Sequence, residues 1–425
     1  MPSVALVTTT SPVPGDLGKK VVLHGIVEYL VDRFGDDDVH FVLLAPPSTP
    51  APALPCRVHV VAAPTGLEQV RAAATGVLRR PHRSLQEAVI AAPRVARELG
   101  ALLGQLRADV EVFDTIRVGQ FAGEGEHAAR RVLHLGDLFS VRYERWLAAI
   151  DAGMHSDAQP LGEFAMMLPR ALRGPVGHWR IYRAALELER RLVARREAEL
   201  VGRFDGTTLV SEEEAESLRR RTGCGSVAAI PPAVPGPDLV DRRLEGRARF
   251  LFVGHLGVPH NADALAHLLA AGPERVFRGC PDADLTIVGR GASRELRRLA
   301  STWGSAVTLR DFVADLAPLM DRSTALLAPL RWGSGIKLKV LVALAHGCPV
   351  LCSSVAAQGI VPSTSTQGVV VEDDLARWPE HMRRLAEPGS NSAHSAAARR
   401  LWAERYAPAS AFQAYDEIFG LGAVV

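Results

Sequence analysis

Lys337 and Lys339 follow the turn Gly333-Ser334-Gly335 and pose the first chemical question in this chain. The spacing of Ile336, Leu338, Leu341, Leu344 and Ala345 predicts an apolar helix ending at Gly347, with Ser334 as its N-cap. Cations in a first helical turn face the positive end of the peptide dipole, which is unfavourable. A phosphate or diphosphate bound there removes the conflict, because free N–H groups, a glycine turn and two ammonium groups converge on it. The competing reading is a surface helix whose lysines extend into water. Two more polar sets lie just past apolar strand-like runs, where α/β proteins gather ligands. One is His134 near the C-terminal end of a strand over 131–135 and Asp137 in the turn after it, before a helix. Asp137 either orients a substrate or caps that helix. The other is Gly15, Asp16, Gly18, Lys19 and Lys20, in the loop after a strand over 4–7.

The remaining polar clusters read as bland. Asp36, Asp37 and Asp38 fall in a turn between a helix and a strand, where an acidic run is a solvated surface rather than a metal site. His59 alternates with Val58 and Val60 and reads as an exposed strand residue. Arg79, Arg80, His82 and Arg83 could meet an anionic acceptor or a membrane surface, or simply form a hydrated helix end. The five cysteines are scattered, and Cys348 and Cys352 have only His346 nearby, so buried thiols are expected instead of zinc ligands.

These groups must be positioned by a large scaffold. With 425 residues the chain exceeds one ordinary core and predicts two domains. Charged residues at 23% and apolar residues at 48% describe a globular protein, and a net charge of +2 gives no footprint for nucleic acid. No run of about 18 apolar residues would span a membrane, and the first residues do not resemble a signal peptide. Scattered thiols fit a reducing, cytoplasmic setting. Strands alternate with helices through 1–234, which predicts a doubly wound α/β domain. A long amphipathic helix over 176–200 carries Trp179, Tyr182, Leu186 and Val193 on one face. A Pro-, Gly- and charge-rich stretch over 235–248 reads as a linker. A second α/β domain over 249–407 follows, with a helix over 262–277 capped by His260 or Asn261, and a last helix starts at 408.

The stretch GSGIKLKVLVALAHGCPVL at 333–351 resembles the donor-site segment of retaining glycosyltransferases of family 4, which share the GT-B fold. FVGHLGVPHNADAL and LTIVGRG resemble the same family, and DLFSVRY at 137–143 resembles a segment its members carry after a first-domain strand. The resemblance implies two Rossmann-like doubly wound domains facing across a cleft, with the last helix, 408–425, crossing back to the first. It implies transfer of a sugar, with retention and without metal or other cofactor, from a nucleotide-diphosphate sugar (a UDP-sugar foremost) to a glycan or small-molecule acceptor. Bacterial polysaccharide or secondary-metabolite synthesis is the expected setting. No transmembrane segment is expected, only weak peripheral membrane contact. Donor-binding positions would be Gly18, Gly254, His255, Gly289, Arg290, Gly291, Ser334, Gly335, Ile336, Lys337, Lys339 and Val342. Asp16, Lys19, Ser140 and Arg142 would face the acceptor, and Asp137 and His134 would be catalytic.

Four departures from the family pattern matter. His255 stands at an Arg position with no matching Lys, Asp311 replaces a Gly, and IPPAV at 230–234 is divergent. Val342 replaces a Glu that usually holds the ribose, which leaves a noncatalytic GT-B subunit as the alternative. A GT-B sugar-nucleotide epimerase would need carboxylates and histidines beside the sugar, and the sequence presents no such set.

Overall fold

The structure is a computed structural model that describes residues 2–419 except 14–17, 67, 73–82, 124–128, 154–178, 239–241, 243, 245 and 361–367. Asp16, Gly15 and the cluster residues Arg79, Arg80 and His82 lie outside the described residues. The chain forms two compact units. Met1–Ile150, Gln159–Ala233 and Ala411–Val425 make the first, and Asp151–Ala158 and Val234–Ser410 the second.

The first unit is built on seven parallel strands in the order β3-β2-β1-β4-β5-β6-β7. These are β1 Val4–Thr8, β2 Val39–Ala45, β3 Arg57–Ala62, β4 Val110–Asp114, β5 Arg130–Gly136, β6 Gly206–Leu209 and β7 Val227–Ala229. β1 lies centrally, pairing Val4 with both Val39 and Val110, and all five of its residues are buried. A strand covered on both faces must be apolar throughout, which is why VALV carries no alternation. The strand order reverses between β1 and β4, so their C-terminal ends, Thr8 and Asp114, flank the crevice where doubly wound sheets bind ligands. In the helix Trp179–Val201, Tyr182, Leu186 and Val193 are buried as its periodicity requires.

The helix Pro408–Phe419 belongs to this first unit from Ala411 onward. Tyr29 stacks on Tyr415 at 4.8 Å and meets Phe412 at 5.3 Å, and Arg33 pairs with Asp416 at 2.8 Å. An aromatic cluster of this kind contributes beyond its buried area.

The second unit has six parallel strands in the order β10-β9-β8-β11-β12-β13. They are β8 Arg249–Val253, β9 Asp284–Val288, β10 Val307–Arg310, β11 Ala325–Ala328, β12 Val350–Cys352 and β13 Val369–Val371. Here the order reverses between β8 and β11, so Val253 and Ala328 open onto the expected binding edge. Among the described residues no helix is long and apolar enough to cross a membrane.

Several local expectations are corrected. The helix expected over 262–277 is two, Pro259–Ala270 and Pro273–Val276, because Gly272 takes φ 78° and Pro273 cannot continue the first. Its N-cap is Val258, and Asn261 instead donates from Nδ2 to the His255 carbonyl at 3.2 Å. The described residues of the linker are tied to the second unit. Arg399 donates to the Pro237 carbonyl, and Arg242 to the carbonyls of Gly347 and Ser323; Val234, just before the linker, donates from N to the Tyr406 carbonyl at 2.8 Å.

Candidate active site

At the binding edge of the second unit, three loops are stitched together by their backbones. Gly254 N donates to Val288 O at 3.0 Å, Leu256 N to Arg290 O at 2.7 Å, and Gly289 N to Arg310 O at 2.9 Å. A Cβ on Gly289 would lie 1.9 Å from the Gly254 carbonyl, and one on Gly291, already at φ 82°, 2.7 Å from Gly257 N. These glycines therefore admit the approach of one loop to another. The Arg290 guanidinium lies 4.1 Å over the Phe312 ring, which is 56% exposed. His255 turns its Nδ1 toward Gly257 N at 3.1 Å.

The stretch after β11 departs from expectation in one respect. Ser334 does not cap a helix. Gly333 and Gly335 take φ 136° and 67°, and the Lys337 ammonium draws in the carbonyls of Ser334 at 2.8 Å and Gly335 at 2.6 Å. The chain consequently enters the helix only at Leu338, with Lys337 as an extended N-cap that makes no side-chain cap bond. Ile336 and Val342 pack against the apolar core of the unit. The Arg331–Asp263 pair at 3.2 Å and the His260–Trp332 edge contact at 5.7 Å hold this loop against the helix Pro259–Ala270.

Lys339 is the chemically unusual group. Its side chain is half-buried overall but its ammonium end lies inside, donating to Asn261 Oδ1 at 2.8 Å and resting 4.8 Å over the Phe252 ring. Burial, and then the charge of Lys337, push its pKa down to about 7. An amide and a ring face are weak partners for a desolvated cation, and among the described residues no carboxylate pairs with it.

The binding edge of the first unit holds a second cluster. Asp114, buried at the end of β4, accepts from Thr8 Oγ1 at 2.6 Å and pairs with Lys19 Nζ at 2.9 Å, both through Oδ2. Burial acts to raise its pKa, but Lys19, His134 and the Thr8 hydrogen bond outweigh it and hold the carboxyl below its usual range. Among the described residues its Oδ1 has no hydrogen-bond partner, nor do the buried hydroxyls of Thr9 and Thr115. Thr115 adopts φ 74°, a strained conformation for a β-branched residue and one that concentrates at functional sites. His134, at the end of β5, is buried with Nδ1 2.9 Å from Thr208 Oγ1. Burial lowers its pKa against the pull of Asp114, which favours the neutral imidazole. Lys19, Asp114 and His134 are thus brought together, whereas Gly18 is exposed at the start of the helix Gly18–Phe34.

Asp137, Arg142 and Ser140 are engaged elsewhere. Arg142 holds Asp137 with contacts of 2.6 to 3.0 Å and lies 4.9 Å over Phe139, whose ring also meets Arg117 at 5.1 Å. Ser140, buried, donates from Oγ to Glu197 at 2.5 Å, so its hydroxyl faces the interior. Asp114 and Thr115 carry no motif that singles them out in the sequence. The available signal is an Asp at the end of a strand, VEVFD, that is buried along its whole length. No group of three or more His, Cys, Asp or Glu side chains able to hold a metal occurs among the described residues.

Comparison with known proteins bears on both units. The family described as glycosyl transferases group 1 matches residues 247–388, within the second unit. An uncharacterized 44.6 kDa protein in the cps region of Klebsiella pneumoniae is 29% identical over 178 residues, 40% of this chain. The matched segment spans 45% of that relative's length. Among solved structures, sucrose-phosphate synthase from Thermosynechococcus elongatus aligns over 99% of this chain and 100% of its own at a TM-score of 0.67 and 16% identity. HepE from Anabaena, in complex with UDP and glucose, aligns over 99% and 100% at 0.61 and 13%. WaaG, a glycosyltransferase involved in lipopolysaccharide biosynthesis, aligns over 98% and 100% at 0.60 and 14%. The fold is GT-B, with two doubly wound α/β domains.

Proposed function

We propose that this chain is a glycosyltransferase that moves a sugar from a nucleotide-diphosphate donor to a glycan or small-molecule acceptor, with retention and without a metal ion. The carrying observation is the Lys339 ammonium, buried against an amide and a ring face with Lys337 beside it. A diphosphate supplies the missing anion, and the two lysines in turn stabilise the charge that develops on the leaving nucleoside diphosphate. The glycosyl transferases group 1 match over 247–388 supports this assignment, and the UDP-bound neighbour HepE makes UDP the first donor nucleotide to try. In the first unit, Asp114 Oδ1, Thr115 Oγ1 and neutral His134 offer hydrogen-bonding groups suited to sugar hydroxyls.

Val342 favours one alternative, a noncatalytic GT-B subunit, because an apolar side chain packed on the core offers a ribose nothing to bond. Turnover separates the two. With UDP-glucose or another nucleotide sugar and an accepting glycan, the transferase releases nucleoside diphosphate in EDTA and gives a product with the donor's anomeric configuration. An inverted product refutes retention. No release with any nucleotide sugar favours the noncatalytic subunit.

A further inference from the structure

A second polar cluster lies in the N-terminal half of β2 and β3, away from the strand ends that carry the candidate site. His40 Nδ1 and His59 Nε2 stand 3.2 Å apart, with ring centroids at 5.3 Å and ring planes 45° apart. The parallel ladder fixes this proximity, since His40 pairs with Arg57 and Val42 with His59, which puts the two imidazoles at diagonal positions on one face. β3 is an edge strand, and both histidines are half-buried.

We propose that His40 and His59 form a two-point chelate for a divalent transition-metal ion. Two imidazole nitrogens bound to one tetrahedral zinc at about 2.0–2.1 Å stand about 3.3 Å apart, close to the spacing the ladder imposes. The surrounding charges leave the rings as ligands rather than cations. Burial lowers the basicity of both, the His59 ring and Arg57 add to this at His40, and Arg57 adds to it at His59. Asp38 acts in the opposite sense on His40, and Arg57 is paired with Asp37 at 2.9 Å. Binding needs no net proton loss. The hydrogen shared between Nδ1 and Nε2 moves to the outer nitrogen of its own ring, and a small rotation of each ring turns both lone pairs toward the ion. No group of three such ligands occurs among the described residues, so water fills the remaining positions and the ion exchanges readily. Copper is favoured over zinc and nickel by the usual order of divalent affinities.

The test uses the full chain labelled with 15N-histidine and titrated with zinc chloride at pH 7.5. The expected result is a shift of His40 Nδ1 and His59 Nε2 at the first equivalent, before the other histidines respond. In parallel, zinc should raise the melting temperature of the native protein and leave that of His40→Gln and His59→Gln unchanged, each lacking one equivalent of bound metal. Ring-nitrogen signals of His40 and His59 that stay fixed while other histidines shift would overturn the proposal. So would equal stoichiometry and equal thermal shift in native protein and both variants.

Discussion

If Lys339 waits for an anion, nucleotide binding must draw in protons. In the unliganded site burial and the Lys337 charge hold Lys339 near a pKa of about 7, against an ordinary lysine value of about 10.4. Its described contacts are the Asn261 amide on the helix Pro259–Ala270, the Phe252 ring on β8 and the Lys337 charge on its own loop. A diphosphate beside it would return the pKa toward the ordinary value, a shift of about 3 units and between about 4 and 5 kcal/mol as an upper bound. At pH 7 the free enzyme holds about half a proton on this nitrogen and at pH 8 about a tenth, so binding takes up about 0.5 and about 0.9 proton respectively. The sign follows. The ligand prefers the charged form, so affinity weakens about tenfold per unit from pH 7.5 upward, where the terminal phosphate is already largely ionised. Calorimetry of UDP in Tris and in HEPES reads the proton count from the difference in apparent enthalpy. Lys339→Arg keeps its charge and should bind with no buffer dependence. An enthalpy independent of buffer, with affinity flat from pH 7.5 to 9, would refute the anion-waiting account of Lys339.

Thr115→Gly should relieve the positive-φ strain and raise stability by about 1 kcal/mol while lowering turnover, read by denaturant melts and initial rates. Tyr29→Ala removes the ring that Phe412, Tyr415 and Phe419 pack on and should cost about 3 kcal/mol, seen as an earlier melting transition; an unchanged melt would show that the C-terminal helix does not stabilise the first unit. Burial lifts Glu189 to about 7, although it accepts from the N–H groups of Leu85 and Gln86. A raised folded pKa gives stability that is present below the unfolded value and is lost as pH rises to about 7, and Glu189→Gln should flatten that slope in urea melts between pH 4.5 and 7.

The fold was legible because parallel strands buried on both faces write themselves as unbroken apolar runs, as in Val4–Thr8 and Ala325–Ala328. That Lys337 and Lys339 stand at a helix start was legible from the apolar spacing after them. What escaped was the direction each group faces. Ser334 looked like a cap, yet the two glycines turn the loop so that its carbonyls serve Lys337 instead. Ser140 looked like an acceptor residue, but its partner Glu197 lies 57 positions away, on a helix whose face toward Ser140 the sequence does not specify. Asp114 owes its interest to Thr8, Lys19 and His134, three residues from distant stretches that only the strand order brings together.

The measurement that tests the central claim most directly is calorimetric binding of UDP, GDP, dTDP and ADP in EDTA, to the native chain and to Lys339→Ala. The account predicts micromolar binding of one nucleotide in the presence of chelator, weakened at least about tenfold by loss of a charge-assisted contact in the variant. Equal affinity in native protein and variant, or no binding of any of the four, would contradict it.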